Sequence, residues 1–262
     1  MKLLFVNPHP DDTEFNAAST CQQAVDLGWE VHEILMTTDE YGTERNDFKG
    51  KRIRRIRKNE MIESAKLYGT NPDGTPLINL HWFGGIDGYL PFDKLTFEKL
   101  KEMVVEIDPD LIIGPDAFFS LDVHPDHMRT GWLTYLIVKE LSETQKDAPL
   151  LLLYHSFNSD FYIPYEDDSI QVDAWAKHRS QTSPLANKIV RRLRKVFAFF
   201  RRGSSGPVKA EGFRKPTFES DENKIKKLHH KIFYAISNIG IPGISAFDPE
   251  RFNPIPEELG LV

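Results

Sequence analysis

The chain holds a single cysteine, Cys21, among 262 residues. That excludes an intrachain disulfide framework and any zinc module built on cysteines. No uncharged apolar run approaches the roughly 20 residues of a membrane-spanning helix. The opening Met1-Lys2-Leu3-Leu4-Phe5-Val6 imitates the start of a secretory leader. Its apolar run stops at Asn7-Pro8-His9-Pro10-Asp11-Asp12, short of the roughly 7–15 residues a leader core needs. Lys2–Asn7 therefore reads as a buried strand, and a cytoplasmic location is expected. With 16 glycines and 17 prolines the chain is too poor in both to be collagen-like or low-complexity. Acidic residues outnumber basic ones, 39 to 33, and the net charge of −6 argues against nucleic-acid binding along the whole chain. A glycine-rich phosphate loop is also missing after the first strand, where Asn7-Pro8-His9-Pro10 stands instead.

What is present is an ordinary globular composition, 40% hydrophobic and 27% charged, with strands and helices in alternation. Strands are expected at Lys2–Asn7, Val31–Thr37, Leu77–Phe83, Asp110–Gly114 and Leu150–Ser156. Between them fall helices from Asp12 or Thr13 to Gly28, over Arg52–Tyr68, over Leu95–Ile107, and from Pro125 to about Leu141, the last with proline at its favoured first position. This alternation predicts an α/β fold, a Rossmann-like, doubly wound, mainly parallel sheet with helices on both faces. The pattern becomes irregular beyond residue 160. Such sheets bind ligands at the carboxyl ends of their strands, so the segments leaving the first and fourth strands are where chemistry is expected.

Those two segments carry His9-Pro10-Asp11-Asp12 and His124-Pro125-Asp126-His127. Asp-Asp before a helix is also an ordinary N-cap, and a lone histidine at a turn is usually a surface residue. The pair, each at a strand end, points further. Imidazole and carboxylate together suit zinc or another divalent metal, and a catalytic zinc takes three protein ligands and leaves a position for water. His9, Asp11, Asp12, His124, Asp126 and His127 are more candidates than three ligands require. Adjacent Asp11 and Asp12 point in different directions, so one can bind metal while the other faces the water. His124 and His127, three apart at a helix start, can share one site.

At this point the sequence resembles the PIG-L or LmbE-like family of zinc N-deacetylases, which act on N-acetylglucosamine-type sugars. The resemblance runs over roughly residues 1–215. It begins with Pro8-His9-Pro10-Asp11-Asp12-Thr13-Glu14-Phe15 and continues through Arg57-Lys58-Asn59-Glu60, Asp87-Gly88 and His124-Pro125-Asp126-His127. His178-Arg179-Ser180-Gln181 and Ala210-Glu211-Gly212-Phe213-Arg214 follow in family order. It implies a metal-dependent amidohydrolase with one zinc, or iron or another divalent ion, on His9, Asp12 and His127. Asp11 is then the general base, His124 a charged helper, and Asp126 the residue that tunes His124. Glu40, Arg57 and Asp87 match positions lining the sugar pocket. The chain departs from the family at Asn16-Ala17-Ala18, where a glycine-rich stretch is usual. The implied partner is a small amino-sugar conjugate. The rival readings are a non-catalytic sugar-binding protein with an inert metal site and another metal-dependent hydrolase; Asp11, surplus to metal binding, speaks against the first.

Domain organisation is expected as a deacetylase-like domain over 1–215 and a C-terminal extension over 216–262 packed on it. The oligomeric state is not legible. Residues 188–202 carry seven basic groups and no acid, with Ile189, Leu193, Phe197 and Phe200 at helical spacing. This is either a helix docked on the domain with a solvated basic side or a contact for anionic lipid or phosphate.

Overall fold

The computed structural model describes residues 1–43, 49–120, 124–181, 209–218 and 221. The basic segment 188–202 and nearly all of the expected extension 216–262 lie outside the described residues.

The described chain runs β1 (Lys2–Asn7), α1 (Asp12–Asn16), α2 (Ala18–Asp26), β2 (Glu30–Thr37), α3 (Lys51–Ala65), β3 (Asn79–Gly85), α4 (Lys94–Ile107), β4 (Leu111–Pro115), α5 (Pro125–Thr144), β5 (Leu150–Tyr154), β6 (Phe161–Pro164), α6 (Ser169–Trp175) and β7 (Ala210–Phe213). β1 to β5 form one sheet in the order β3-β2-β1-β4-β5, every pair parallel. β6 and β7 add an antiparallel pair over the irregular C-terminal part. Each central strand is a short apolar run buried on both faces, as Leu3, Leu4, Phe5 and Val6 are, because helices cover both sides of a parallel sheet. One core layer packs α4 and α5 against Val6, Ile34 and Ile112. The other packs α2 and α3 against Leu3, Phe5 and Ile113.

The expected helix from Asp12 to Gly28 is two helices. Ala17 leaves helical geometry at φ −147°, so α2 starts without a side-chain cap from its own N-terminus. Glu211, far along the chain, supplies the cap. Its carboxylate accepts the Ser19 and Thr20 amides at 2.9 and 2.8 Å and the Thr20 hydroxyl at 2.6 Å. Helix caps are worth about 1 kcal/mol, and this one ties β7 to the helix behind the site. Arg214, beside it, holds buried Asp116 through Nε and Nη2 at 2.7 and 2.9 Å and Asp221 through Nη1 at 2.6 Å. Phe218 packs on Tyr135, whose hydroxyl donates to its carbonyl at 2.8 Å.

The strand order reverses between β1 and β4: the chain winds outward from β1 to β3, then α4 carries it back to the far side of β1. At such a switch point the two outgoing loops diverge and leave a crevice. Gly131 lets α5 close on it, since a Cβ there would stand 2.5 Å from the Pro115 carbonyl oxygen.

Candidate metal centre and active site

The turn leaving β1 is fixed from three sides. Asn7 donates to Thr13 Oγ1 and Glu33 Oε1, both at 2.7 Å, and accepts from the Tyr154 hydroxyl at 3.0 Å. Thr37, at the end of β2, donates its amide and hydroxyl to the Pro8 carbonyl at 3.0 and 2.9 Å. Arg57, from α3, donates Nη2 to the Pro10 carbonyl. Within the turn Asp12 accepts the His9 amide at 2.9 Å. Asp11 stands at φ 130° and makes no capping bond to α1. A non-glycine residue held there is strained and persists only where its surroundings over-determine it.

The turn brings His9 and Asp12 against His127 from the first turn of α5. His9 Nδ1 lies 3.2 Å from His127 Nε2, Asp12 Oδ1 3.5 Å from His127 Nε2, and Asp12 Oδ2 3.9 Å from His9 Nδ1. Donor atoms held about 2.0–2.1 Å from a tetrahedral ion stand roughly 3.3 Å apart, so the spacing fits one divalent cation. All three residues are buried. The field fits as well. Burial opposes a charge on His9, yet Asp126, Asp87 and Asp39 outweigh it and hold His9 well above the usual imidazole range. The second nitrogen of His9, Nε2, faces Asp87 Oδ1 at 3.2 Å and Asp126 Oδ2 at 3.5 Å, the carboxylate partners that orient a ligating imidazole. His9, Asp87, His124 and Asp126 form a second grouping of metal-binding type. In it Asp126 accepts the Gly88 and Leu90 amides at 2.6 and 3.2 Å, one on each oxygen, whereas Asp12 accepts the His9 amide on one oxygen.

Asp11 is the remaining carboxylate of the turn. Arg57 Nη2 binds its Oδ2 at 2.8 Å, and Asp11 lines the same cavity as His9, Asp12 and His127. Burial raises the Asp11 carboxyl to about 6 and the Arg57 charge restrains that rise, which suits a group that must take a proton near neutral pH.

His124, the N-cap of α5, accepts the Asp126 amide on Nδ1 at 3.2 Å. Burial, followed by the positive charge of His9 and His127, pushes His124 down to about 4, although a cation on those two imidazoles would replace that charge; with Nδ1 accepting, it is Nε2 that carries a proton. Asp126 meets His124 through that backbone amide, while its carboxylate fixes the Asp87–Leu90 loop.

Two of the three residues expected on the sugar-pocket wall are placed behind it. Arg57 is fully buried, with Nε 2.6 Å from Asp39 Oδ2, Nη1 3.5 Å from Glu60 and 3.1 Å from His178 Nδ1. A guanidinium with this many buried acceptors becomes an internal clamp. Glu40 is buried too, accepting the Asp87 amide at 3.1 Å and lying 3.5 Å from Arg54. Asp87 does line the cavity and also accepts the Tyr41 amide at 3.0 Å.

The His178-Arg179-Ser180-Gln181 run joins the same network. His178 meets Arg57, Ser180 binds Glu60 through its amide and hydroxyl at 2.8 and 2.6 Å, and Gln181 donates to Asp39 at 2.8 Å. Asp39 and Tyr41 carry no motif and escape sequence reasoning. His155 likewise carries no motif of its own. It stacks on His127 with ring centroids 6.1 Å apart and an interplanar angle of 17°, and its φ of 58° is the kind of outlier that marks a site. The cavity above these groups measures about 640 Å³, inside the range of roughly 300–1,000 Å³ for small-molecule sites.

Known proteins resemble the chain in sequence and fold. Diacetylchitobiose deacetylase of Thermococcus kodakarensis is 26% identical over 132 residues, which are 50% of this chain and 47% of that protein. A probable N-acetyl-alpha-D-glucosaminyl L-malate deacetylase 2 of Bacillus cereus is 28% identical over 151 residues, 55% of this chain and 63% of that protein. The chain thus spans about half to three-fifths of the length of these curated relatives. The solved structure of N,N'-diacetylchitobiose deacetylase from Pyrococcus horikoshii, in complex with its inhibitor MPG, superposes with a TM-score of 0.70 at 26% identity, covering 81% of this chain and 82% of the other. Residues 4–138, just over half of the chain and including both His-Pro-Asp runs, match the sequence model of PIG-L, GlcNAc-PI de-N-acetylase, and the chain belongs to that family.

Proposed function

We propose that the chain is a metal-dependent amidohydrolase that removes the N-acetyl group from an N-acetylglucosamine-type sugar conjugate. His9, Asp12 and His127 hold one zinc or similar divalent ion, and Asp11 is the general base. The carrying observation is the different pairing of two neighbouring aspartates on one cavity: Asp12 meets the two imidazoles, while Asp11 is paired with Arg57. An inert structural site has no use for a strained carboxylate outside its ligand set. The names of the relatives, deacetylases of acetylated sugars, support the substrate class.

A divalent ion there supplies Lewis acidity to the amide carbonyl and acidifies water beside it. The chain's own groups do the rest. Asp11 takes a proton as water adds to the carbonyl carbon. His124, its Nδ1 taken by the Asp126 amide, donates a hydrogen bond from Nε2 to the oxygen where charge develops. As the C–N bond breaks, Asp11 passes its proton to the departing nitrogen, so acetic acid and the free amine leave and the base is restored. Phe15, Trp175 and His155 wall the cavity on one side and keep bulk water from the reacting centre.

The test is mass spectrometry of products after a panel of N-acetylglucosamine conjugates is incubated with metal-loaded protein. Loss of one acetyl group from at least one conjugate is expected. Binding without turnover across the panel would favour the sugar-binding reading and overturn this one.

A further inference from the structure

A second pair of facing histidines stands at the other end of the sheet. His32 lies near the start of β2 and His81 near the start of β3, whereas the candidate active site lies beyond the carboxyl ends of the strands. The register pairs His32 with Asn79 and Ile34 with His81, so the two histidines are diagonal neighbours on one face. That face carries Ile34 and Met36 and packs against α4. His32 Nδ1 stands 2.9 Å from His81 Nε2. The rings are within 14° of parallel with centroids 5.2 Å apart, so they meet edge to edge and the two nitrogens point at each other. On its other side His32 Nε2 meets Glu30 Oε1 at 2.9 Å. That carboxylate fixes the tautomer: the His32 proton sits on Nε2, and Nδ1 presents a lone pair to His81. Burial, then the neighbouring His32, holds the His81 imidazole below its ordinary range, against the charge of Glu106 in the last turn of α4. His81 is therefore neutral near pH 7, the form that binds metal.

We propose that His32 Nδ1 and His81 Nε2 form a second metal site, for a divalent transition ion of the zinc and copper class, with water completing the shell. Imidazole suits these ions. A carboxylate behind a ligating imidazole, as Glu30 stands behind His32, orients the ring and raises its basicity. Without an ion the two nitrogens share a hydrogen bond. Around a tetrahedral ion at about 2.0–2.1 Å they stand roughly 3.3 Å apart, so the rings must part slightly and tilt. His81 is half-buried and belongs to β3, the edge strand, and it opens by turning about its side-chain bonds. Its proton moves from Nε2 to Nδ1, so no net proton is released. Glu30 and Glu106 offset the incoming charge. With two protein ligands instead of three, the site holds its ion less tightly than the centre on His9, Asp12 and His127. The ion staples the edge strand to its neighbour and takes no part in the amide chemistry, so the inference is independent of the amidohydrolase reading.

The test counts zinc on the full chain by elemental analysis after equilibrium dialysis against rising free zinc. At saturation the wild type should hold one ion more than His32→Gln or His81→Gln. Glu30→Gln keeps both ligands and should weaken uptake of that ion on the order of 10–100-fold, the usual worth of a carboxylate behind a ligand. Zinc added beyond the first ion should also raise the thermal midpoint of the wild type, because it binds the folded chain, and that rise should be absent from His81→Gln. Should the nearly enclosed His32 not tolerate replacement, His81→Gln and the exposed Glu30→Gln decide the matter. Equal zinc uptake by the wild type and His81→Gln overturns the site.

Discussion

Asp11 concentrates the chemistry of the site in one residue. Its φ of 130° and its bond to Arg57 set it apart from Asp12 in the same turn, and burial lifts its carboxyl to about 6. Because the base works deprotonated, kcat/KM should fall as the pH drops through the Asp11 value, giving an acid limb. Arg57→Gln removes the charge that restrains Asp11, so the limb should move to higher pH; a pH profile of the variant that matches wild type would refute the clamp. Losing one partner of a buried ion pair also costs about 3–5 kcal/mol, so the variant's thermal midpoint should fall as well. Asp11→Asn should keep the bound metal, read by elemental analysis, and lose on the order of 10²–10⁴ in kcat, the usual worth of general acid–base help. Loss of metal from that variant would place Asp11 among the ligands instead.

At the scale of elements, β2 passes under the β1 turn and presents Glu33 to it. That side chain is buried and accepts Asn7 Nδ2 and Thr13 Oγ1 on one oxygen. Burial, with the neighbouring Glu14 charge, raises its carboxyl to about 8. A carboxyl whose folded value lies above its unfolded value holds its proton longer in the folded state. Its contribution to stability is therefore complete below the ordinary carboxylate range and is lost as pH rises toward about 8. Glu33→Gln keeps the acceptor and removes the titration. Its thermal midpoint should match wild type near pH 5 and exceed it above pH 8; equal gains at both pH values would show that Glu33 does not titrate in this way. The two His-Pro-Asp runs were readable because local chemistry marked both strand ends. The Arg57 clamp was not, since Asp11, Asp39, Glu60 and His178 meet only when α1, α3 and the segment after α6 come together. The break at Ala17 was hidden for a similar reason: the cap that stabilises α2 comes from Glu211 in β7, and nothing in the local sequence announces it.

For the molecule as a whole, the alternation of strands and helices made the parallel sheet and its two chemical strand ends legible, while the order β3-β2-β1-β4-β5, which puts both His-Pro-Asp segments at one crevice, comes from the structure. The division of labour inside the crevice was legible only in part. Expected wall residues Arg57 and Glu40 serve as supports, and Phe15 with three aromatic side chains that carry no motif, Tyr41, Tyr89 and Trp175, makes much of the wall. The central claim is that a cation on His9, Asp12 and His127 enables the chain to hydrolyse an N-acetyl amide. It is tested most directly by adding zinc back to chelated protein while acetate release from a turned-over conjugate and bound metal are followed together. The rate should start near zero, rise in proportion to bound ion and level off at about one ion per chain, as a three-ligand catalytic site requires. Chelated protein that retains its full rate would contradict the account.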